Sequence, residues 1–214
     1  MNLLVFLAMV VSSPAIVPQS NEIYIELPET ITYGTYTAIR DKIENARKTR
    51  HIDTVHIQMD SLGGDVNASL LLTTYFKDLF FQSIEVRGYV TIGCASACAM
   101  IFINLPSRTM ADDAYLMLHG AHTECLGRPH GYGRLLHLYK SMSETTTVEC
   151  GGTQRGKQAM YLKLINFQQV LTLIYQITLK KFFTEEEYRA MVTSGADYYY
   201  GKRNAIEAGL VDAD

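Results

Sequence analysis

Along the first half of the chain, the apolar positions switch repeatedly between a period of two and a period near 3.6. Ile23, Ile25 and Leu27 alternate with their neighbours and predict a first strand over 23–27. Ile39, Ile43 and Ala46 recur at helical spacing, which predicts an amphipathic helix over 36–48. Residues 54–59 alternate again and run into Asp60-Ser61-Leu62-Gly63-Gly64, a strand ending in a glycine turn. A helix over 66–81 and a third strand over 84–90 follow. After the tight turn Thr91-Ile92-Gly93, the small apolar run 96–103 reads as a buried helix, and 115–118 as a fourth strand. This rhythm predicts βαβ units and an α/β domain on a largely parallel sheet.

The second half is less regular. Residues 158–181 carry Leu162, Ile165, Val170, Leu173, Ile174 and Ile177 at mixed spacing, which predicts a long helix. Its apolar surface is wide enough to pack on another subunit as well as its own core. Thr184 with Glu187 forms a capping box opening a last helix, to about residue 192. Residues 122–156 hold six glycines from Gly127 to Gly156 and are expected to be irregular. With no internal repeat and no Pro/Ser-rich linker, one domain is expected over 16–214.

The first fifteen residues differ from the rest. Leu3 to Val11 is an apolar run of signal-peptide length followed by Ser13-Pro14-Ala15, a small-x-small cleavage pattern. It predicts a signal peptide over 1–15 and a periplasmic or secreted mature chain starting near Ile16. The run falls short of the roughly 20 residues that span a bilayer. No Lys or Arg precedes it, so the competing reading is a hydrophobic amino-terminal strand or docking arm on a cytoplasmic protein.

Composition adds limits. With 48% hydrophobic and 19% charged residues, the chain is of ordinary globular make-up. A net charge of −3 without a concentrated basic patch sets nucleic-acid binding aside, and Lys180-Lys181 beside Glu185-Glu186-Glu187 reads as a solvated helix end. Cys94 and Cys98 flank Ser96; at i, i+4 on one helix a disulfide is awkward, so two buried thiols are expected. Cys125 and Cys150 bracket the glycine-rich segment and form the better disulfide pair. No CxxC pair or zinc-ligand spacing occurs, so no metal site is expected.

In open α/β sheets, ligands bind beyond the carboxyl ends of the strands. Gly63-Gly64, Ser96 and His119 all fall at or just past such ends. Acyl transfer needs a nucleophile, a base, a group to orient the base, and donors for the oxyanion. Ser96 sits among Gly93, Cys94, Ala95 and Ala97, whose small side chains allow a sharp strand-to-helix turn that exposes its hydroxyl. His119 closes a strand and is the candidate base, with His122 nearby as a competitor. The Gly63-Gly64 pair offers backbone N–H groups that approach a carbonyl closely.

At these places the sequence resembles the ClpP family of serine peptidases. Asp60-Ser61-Leu62-Gly63-Gly64 stands where the family has an Asn-Ser-Pro-like tripeptide and the Gly-Gly of its oxyanion and substrate-strand segment, with Leu62 at the proline position. Cys94-Ala95-Ser96-Ala97-Cys98-Ala99 stands at the nucleophile motif, different in its flanks but keeping them small, and Met117-Leu118-His119 at the base. The terminal run Ala205 to Asp212, with Gly209-Leu210-Val211-Asp212, is similar to the family's closing signature and places Asp197 where the family has its triad aspartate. The resemblance covers about 23–212, interrupted by the enlarged segment 120–156, and identifies 158–181 with the family's long handle helix.

The resemblance implies a ClpP/crotonase-like fold of stacked ββα units and a Ser96–His119–Asp197 triad. Gly64 and Ala97 would supply the oxyanion N–H groups, and Gly63 and Gly64 would guide the substrate strand. It implies a serine endopeptidase acting on peptides or unfolded proteins as a homo-oligomer, with no cofactor. An ATP-driven unfoldase would be its partner only in the cytoplasm. The alternatives are a non-catalytic ClpP-like subunit serving assembly or binding, and a crotonase-like acyl-thioester enzyme, which would leave the serine unexplained.

Overall fold

The computed structural model describes residues 21–119, 122–125, 128–131, 179–194 and 197–213. The first strand, β1 (Glu22–Glu26), leads into α1 (Tyr33–Thr49), β2 (Thr54–Gln58), α2 (Val66–Phe81) and β3 (Glu85–Val90). The short strand β4 (Gly93–Ala95) then turns into α3 (Ala97–Phe102), followed by β5 (Ser107–Met110) and β6 (Tyr115–His119). A hairpin of β7 (His122–Cys125) and β8 (Arg128–Gly131) comes next. The described chain ends with α4 (Glu185–Ser194), β9 (Asp197–Gly201) and α5 (Lys202–Glu207).

Four strands form a parallel sheet in the order β1-β2-β3-β5, so the fold is mixed α/β with a mostly parallel main sheet, as the alternating periods predict. One face of this sheet is apolar: Ile23, Ile25, Val55, Ile57, Val86 and Val90 are buried there. Alternation sends Tyr24, His56, Arg87 and Tyr89 to the other face, where the Tyr24 ring stacks on His56 at 4.5 Å. Helices α1 and α2 bury Ile39, Ile43, Leu72, Phe76 and Leu79 in the core. Both start on side-chain caps: Thr32 and Thr35 form a capping box, and Asp65 accepts from Ala68 N at 2.7 Å.

A second sheet, in the order β4-β6-β9, carries the candidate site. Strands β4 and β6 run parallel, and β9 returns antiparallel along β6. The two sheets meet at a bridge between Ser61 and Cys94. The chain terminus locks onto this body: Leu210 and Val211 are buried, and Asp212 accepts from Arg108 N at 2.7 Å and Arg108 Nη2 at 2.5 Å. That clamp gives the Gly209-Leu210-Val211-Asp212 run its physical purpose, with Gly209 at φ +70° ending α5.

Several expectations are corrected. Strands β4, β5 and β9 were not predicted, and the stretch 122–156 is not wholly irregular, because it opens with the β7–β8 hairpin. Pro129 lies inside that hairpin and masks its strand signal. The Thr184–Glu187 capping box forms as predicted, with Glu187 N donating to Thr184 Oγ1 at 3.2 Å and Thr184 N to Glu187 Oε2 at 2.7 Å. The signal-peptide segment 1–15, most of 132–156, the helix expected over 158–178, and Cys150 with its proposed bond to Cys125 lie outside the described residues. Among the described residues, no helix is long and apolar enough to cross a membrane.

Candidate active site

Ser96 links the end of β4 to the start of α3 with φ +57° and ψ −121°. One other described non-glycine residue has positive φ, Ser83 at +64°, and it follows the carboxyl end of α2, where left-handed residues are ordinary. Ser96 has no such excuse: a β-carbon in this region costs about 1–3 kcal/mol and persists only where the surroundings enforce it. They do. Ser96 N donates to Met117 O at 2.8 Å, Ala95 N donates to Ser61 O at 2.9 Å, and Met100 N donates back to Ser96 O at 3.1 Å. From Gly93 to Leu105, Ser96 is the one residue that is not buried. The sharp turn therefore lifts a single hydroxyl out of a packed strand-to-helix junction.

The glycine loop lies directly against this elbow. A Cβ at Gly63 would stand 2.7 Å from both Ala95 O and Ser96 Cβ and 2.9 Å from Ala97 N, and Gly63 itself has φ +98°. A Cβ at Gly64 would meet Ile31 O at 2.2 Å. Only glycines fit between the Ile31 segment on one side and the elbow on the other. The loop is pinned from behind: Leu62 N donates to Glu29 O, Ile31 N to Gly63 O, and Asp65 N to Ile31 O, at 3.0, 2.7 and 2.9 Å. Ser61 Oγ donates to Glu29 O at 2.9 Å and receives Gly63 N at 3.3 Å. Among the described residues, the Gly64 and Ala97 N–H groups have no acceptor. For Ala97, this is the unpaired donor that the first residue of a helix always carries.

The base and acid candidates come from the neighbouring strands. Ala95 pairs with Met117 in the parallel β4–β6 ladder, so Ser96, just past β4, and His119, the last residue of β6, lie at the carboxyl ends of adjacent strands. On β6, Leu116 and Leu118 turn inward while Tyr115, Met117 and His119 share the half-exposed face. In the antiparallel ladder with β9, His119 stands opposite Asp197, and residues directly opposite present their side chains on the same side of a sheet. The Tyr115 and Tyr199 rings, 5.9 Å apart, mark that shared face. The structure thus brings Ser96, His119 and Asp197 to one rim across three neighbouring strands. It places the competitor His122 at the start of β7.

The expectation of two free thiols at 94 and 98 is overturned: Cys94 and Cys98 form a disulfide, with Cα atoms 5.3 Å apart. That expectation placed both residues on one helix. Instead Cys94 belongs to β4 and Cys98 to α3, and the Ser96 turn folds one back beside the other within disulfide reach.

Asp60 was missed as a site-shaping residue. Its carboxylate accepts Thr91 N at 2.9 Å, Ile92 N at 2.8 Å, Gly93 N at 3.3 Å and Gln58 Nε2 at 2.9 Å, together with the Thr91 hydroxyl. Burial pushes its carboxyl up, but the hydrogen bonds from Thr91, Ile92 and Gln58 together outweigh this and hold it below the ordinary aspartate value. An acidic residue between a strand end and a glycine turn was the available signal. Among the described residues, no group of three or more His, Cys, Asp or Glu is placed to hold a metal ion. Compared with known proteins, the chain matches no family model and none of the curated proteins.

Proposed function

We propose that this chain is a serine hydrolase of the ClpP-like kind, cleaving peptides or unfolded protein segments through an acyl-enzyme. The observation that carries the reading is Ser96 itself: a strained, half-exposed serine on a strand-to-helix elbow, with a glycine loop pressed against it. Strained backbone at a single polar residue is retained where it serves chemistry. The main parallel sheet, the small second sheet and the Gly63-Gly64 loop at its junction accord with a ClpP/crotonase-like fold. Leu62 in place of the family's proline is accommodated, because its N–H is used in a hydrogen bond to Glu29 O that proline could not make.

In this mechanism His119 takes the proton from Ser96 Oγ as the hydroxyl attacks the substrate carbonyl. The N–H groups of Gly64 and Ala97 receive the oxyanion, each donor contributing about 3 kcal/mol to the transition state. Asp197, opposite His119 on β9, orients the imidazole and stabilises its protonated form. His119 then protonates the leaving amine, and water releases the acyl group. A substrate strand would lie along Gly63-Gly64.

The working assembly on this reading is a homo-oligomer. Its compartment is periplasmic or secreted, where a disulfide such as Cys94–Cys98 persists, and where no ATP-driven unfoldase is at hand. A crotonase-like thioester enzyme would use the paired N–H groups without a nucleophile and leave the Ser96 geometry without purpose.

The test is labelling with a fluorophosphonate probe. Wild-type protein should label at one site, and Ser96→Ala and His119→Ala should not. Folded wild-type protein that fails to label would return the chain to the non-catalytic reading.

A further inference from the structure

We infer that the Cys94–Cys98 disulfide is a positioning element for Ser96, so that the reactivity of the serine depends on the redox state of this pair. The inference rests on the serine hydrolase reading above. The bond joins the strand side of the elbow to its helix side, and Ser96 lies midway between its ends. Both cysteines are fully buried, two residues to either side of the partly buried serine. The turn they span is the positive-φ conformation that a serine does not keep unaided. On the strand side, Ser96 N is fixed to Met117 O, two residues before the candidate base. On the helix side, Ala97 N, a candidate oxyanion donor, lies between the nucleophile and Cys98. The cross-link thus holds nucleophile and oxyanion donor in one rigid five-residue loop.

On the Cys98 side, the reduced state has a partner within reach. Cys98 Sγ carries no proton in the disulfide, yet it lies 3.0 Å from the Met59 carbonyl oxygen. Once the two sulfurs have moved apart to contact distance, a reduced Cys98 thiol has that oxygen as a nearby acceptor, so opening the bond leaves no orphaned polar group there. Reduction by a dithiol moves two electrons and two protons into the pair: the S–S bond breaks, two thiols form, and the dithiol closes to its own disulfide. What is lost is the covalent tie across the elbow, and small displacements of a nucleophile carry large rate penalties.

The experiment compares fluorophosphonate labelling rates of oxidised protein, protein reduced with dithiothreitol under denaturant-free conditions, and the Cys94→Ala/Cys98→Ala double variant. Thiol counting establishes the redox state, and circular dichroism establishes the fold. The expected result is a labelling rate about 10- to 100-fold lower in the reduced protein. Reoxidation should restore it, and the double variant should label slowly with or without dithiothreitol. For a cleavable peptide, kcat should fall while KM changes little, a split that general loosening of the fold would not produce. Equal labelling rates in folded oxidised and reduced protein overturn the inference and leave the serine reading standing. A folded oxidised protein that does not label at all overturns the serine reading, and the inference with it.

Discussion

Replacing Gly63 by alanine tests the contact on which the site depends. The new methyl would stand 2.7 Å from Ala95 O and Ser96 Cβ, where ordinary contact begins at 3.4 Å. These neighbours are backbone and a Cβ, not the ends of flexible side chains, so loop and elbow must part by roughly half an ångström or more. Alanine at φ +98° adds conformational strain of about 1–3 kcal/mol. Overpacking adds a similar amount, so the stability loss should be about 2–6 kcal/mol by urea unfolding. Gly209→Ala separates the two contributions, because Gly209 has φ +70° but nothing within 4 Å of an added Cβ. It should lose only about 1–2 kcal/mol and label normally. On the proposed function, the displaced glycine loop of Gly63→Ala should also slow fluorophosphonate labelling about 100-fold in protein that remains folded. If Gly63→Ala is no less stable than Gly209→Ala and labels at the wild-type rate, the loop does not abut the elbow and the site as described is wrong.

Ser96→Gly should abolish labelling yet raise stability by about 1 kcal/mol, since glycine relieves the positive-φ strain; the shift in Tm would be about 2–4 °C. Asp60 has a folded-state pKa below its ordinary value of 3.8, so its contribution is fully present above that value and is lost as pH falls through the lower, folded one. Asp60→Ala should therefore cost about 2 kcal/mol at pH 7 and flatten the acid limb of the stability profile below about pH 4, measured by urea unfolding across pH. Asp212→Ala removes the acceptor of Arg108 N and Nη2 and should cost about 1–2 kcal/mol without altering the labelling rate.

The main sheet was legible because its elements alternate cleanly. The α2 boundaries coincide with prediction, and β1, β2 and β3 fall within a residue or so of it. The strands that were missed lack a signal of their own. Gly93-Cys94-Ala95 is too short and too small-sided to read as a strand, and it is one only because Ser61 and β6 flank it. In Asp197–Gly201, alternation does exist, with Tyr198 and Tyr200 turned toward the core, but three consecutive tyrosines hide it from a hydrophobic-polar reading. β5 carries Ser107, Arg108 and Thr109 in a row and lacks the apolar alternation of β1 to β3, and its place is fixed by β3 and the terminal Asp212 clamp.

The candidate site shows the same division between chemistry and support. Ser96, His119 and the two glycines were readable because reactive and permissive residue types stand at strand ends, where open sheets bind ligands. Their supports were not, because each depends on what a distant segment offers. Whether Cys94 and Cys98 meet depends on a backbone angle that serine seldom adopts, and that angle is imposed by Met117 O from β6 and Ser61 O from the segment after β2. Asp60 looks like an ordinary turn residue until the β3–β4 turn folds three N–H groups around it. The reactive groups are thus a property of local sequence, while the strained turn that exposes the Ser96 hydroxyl is a property of tertiary structure. It follows that variants at Asp60, Gly63 or the Cys94–Cys98 pair should change labelling of Ser96 even though none of them supplies the hydroxyl.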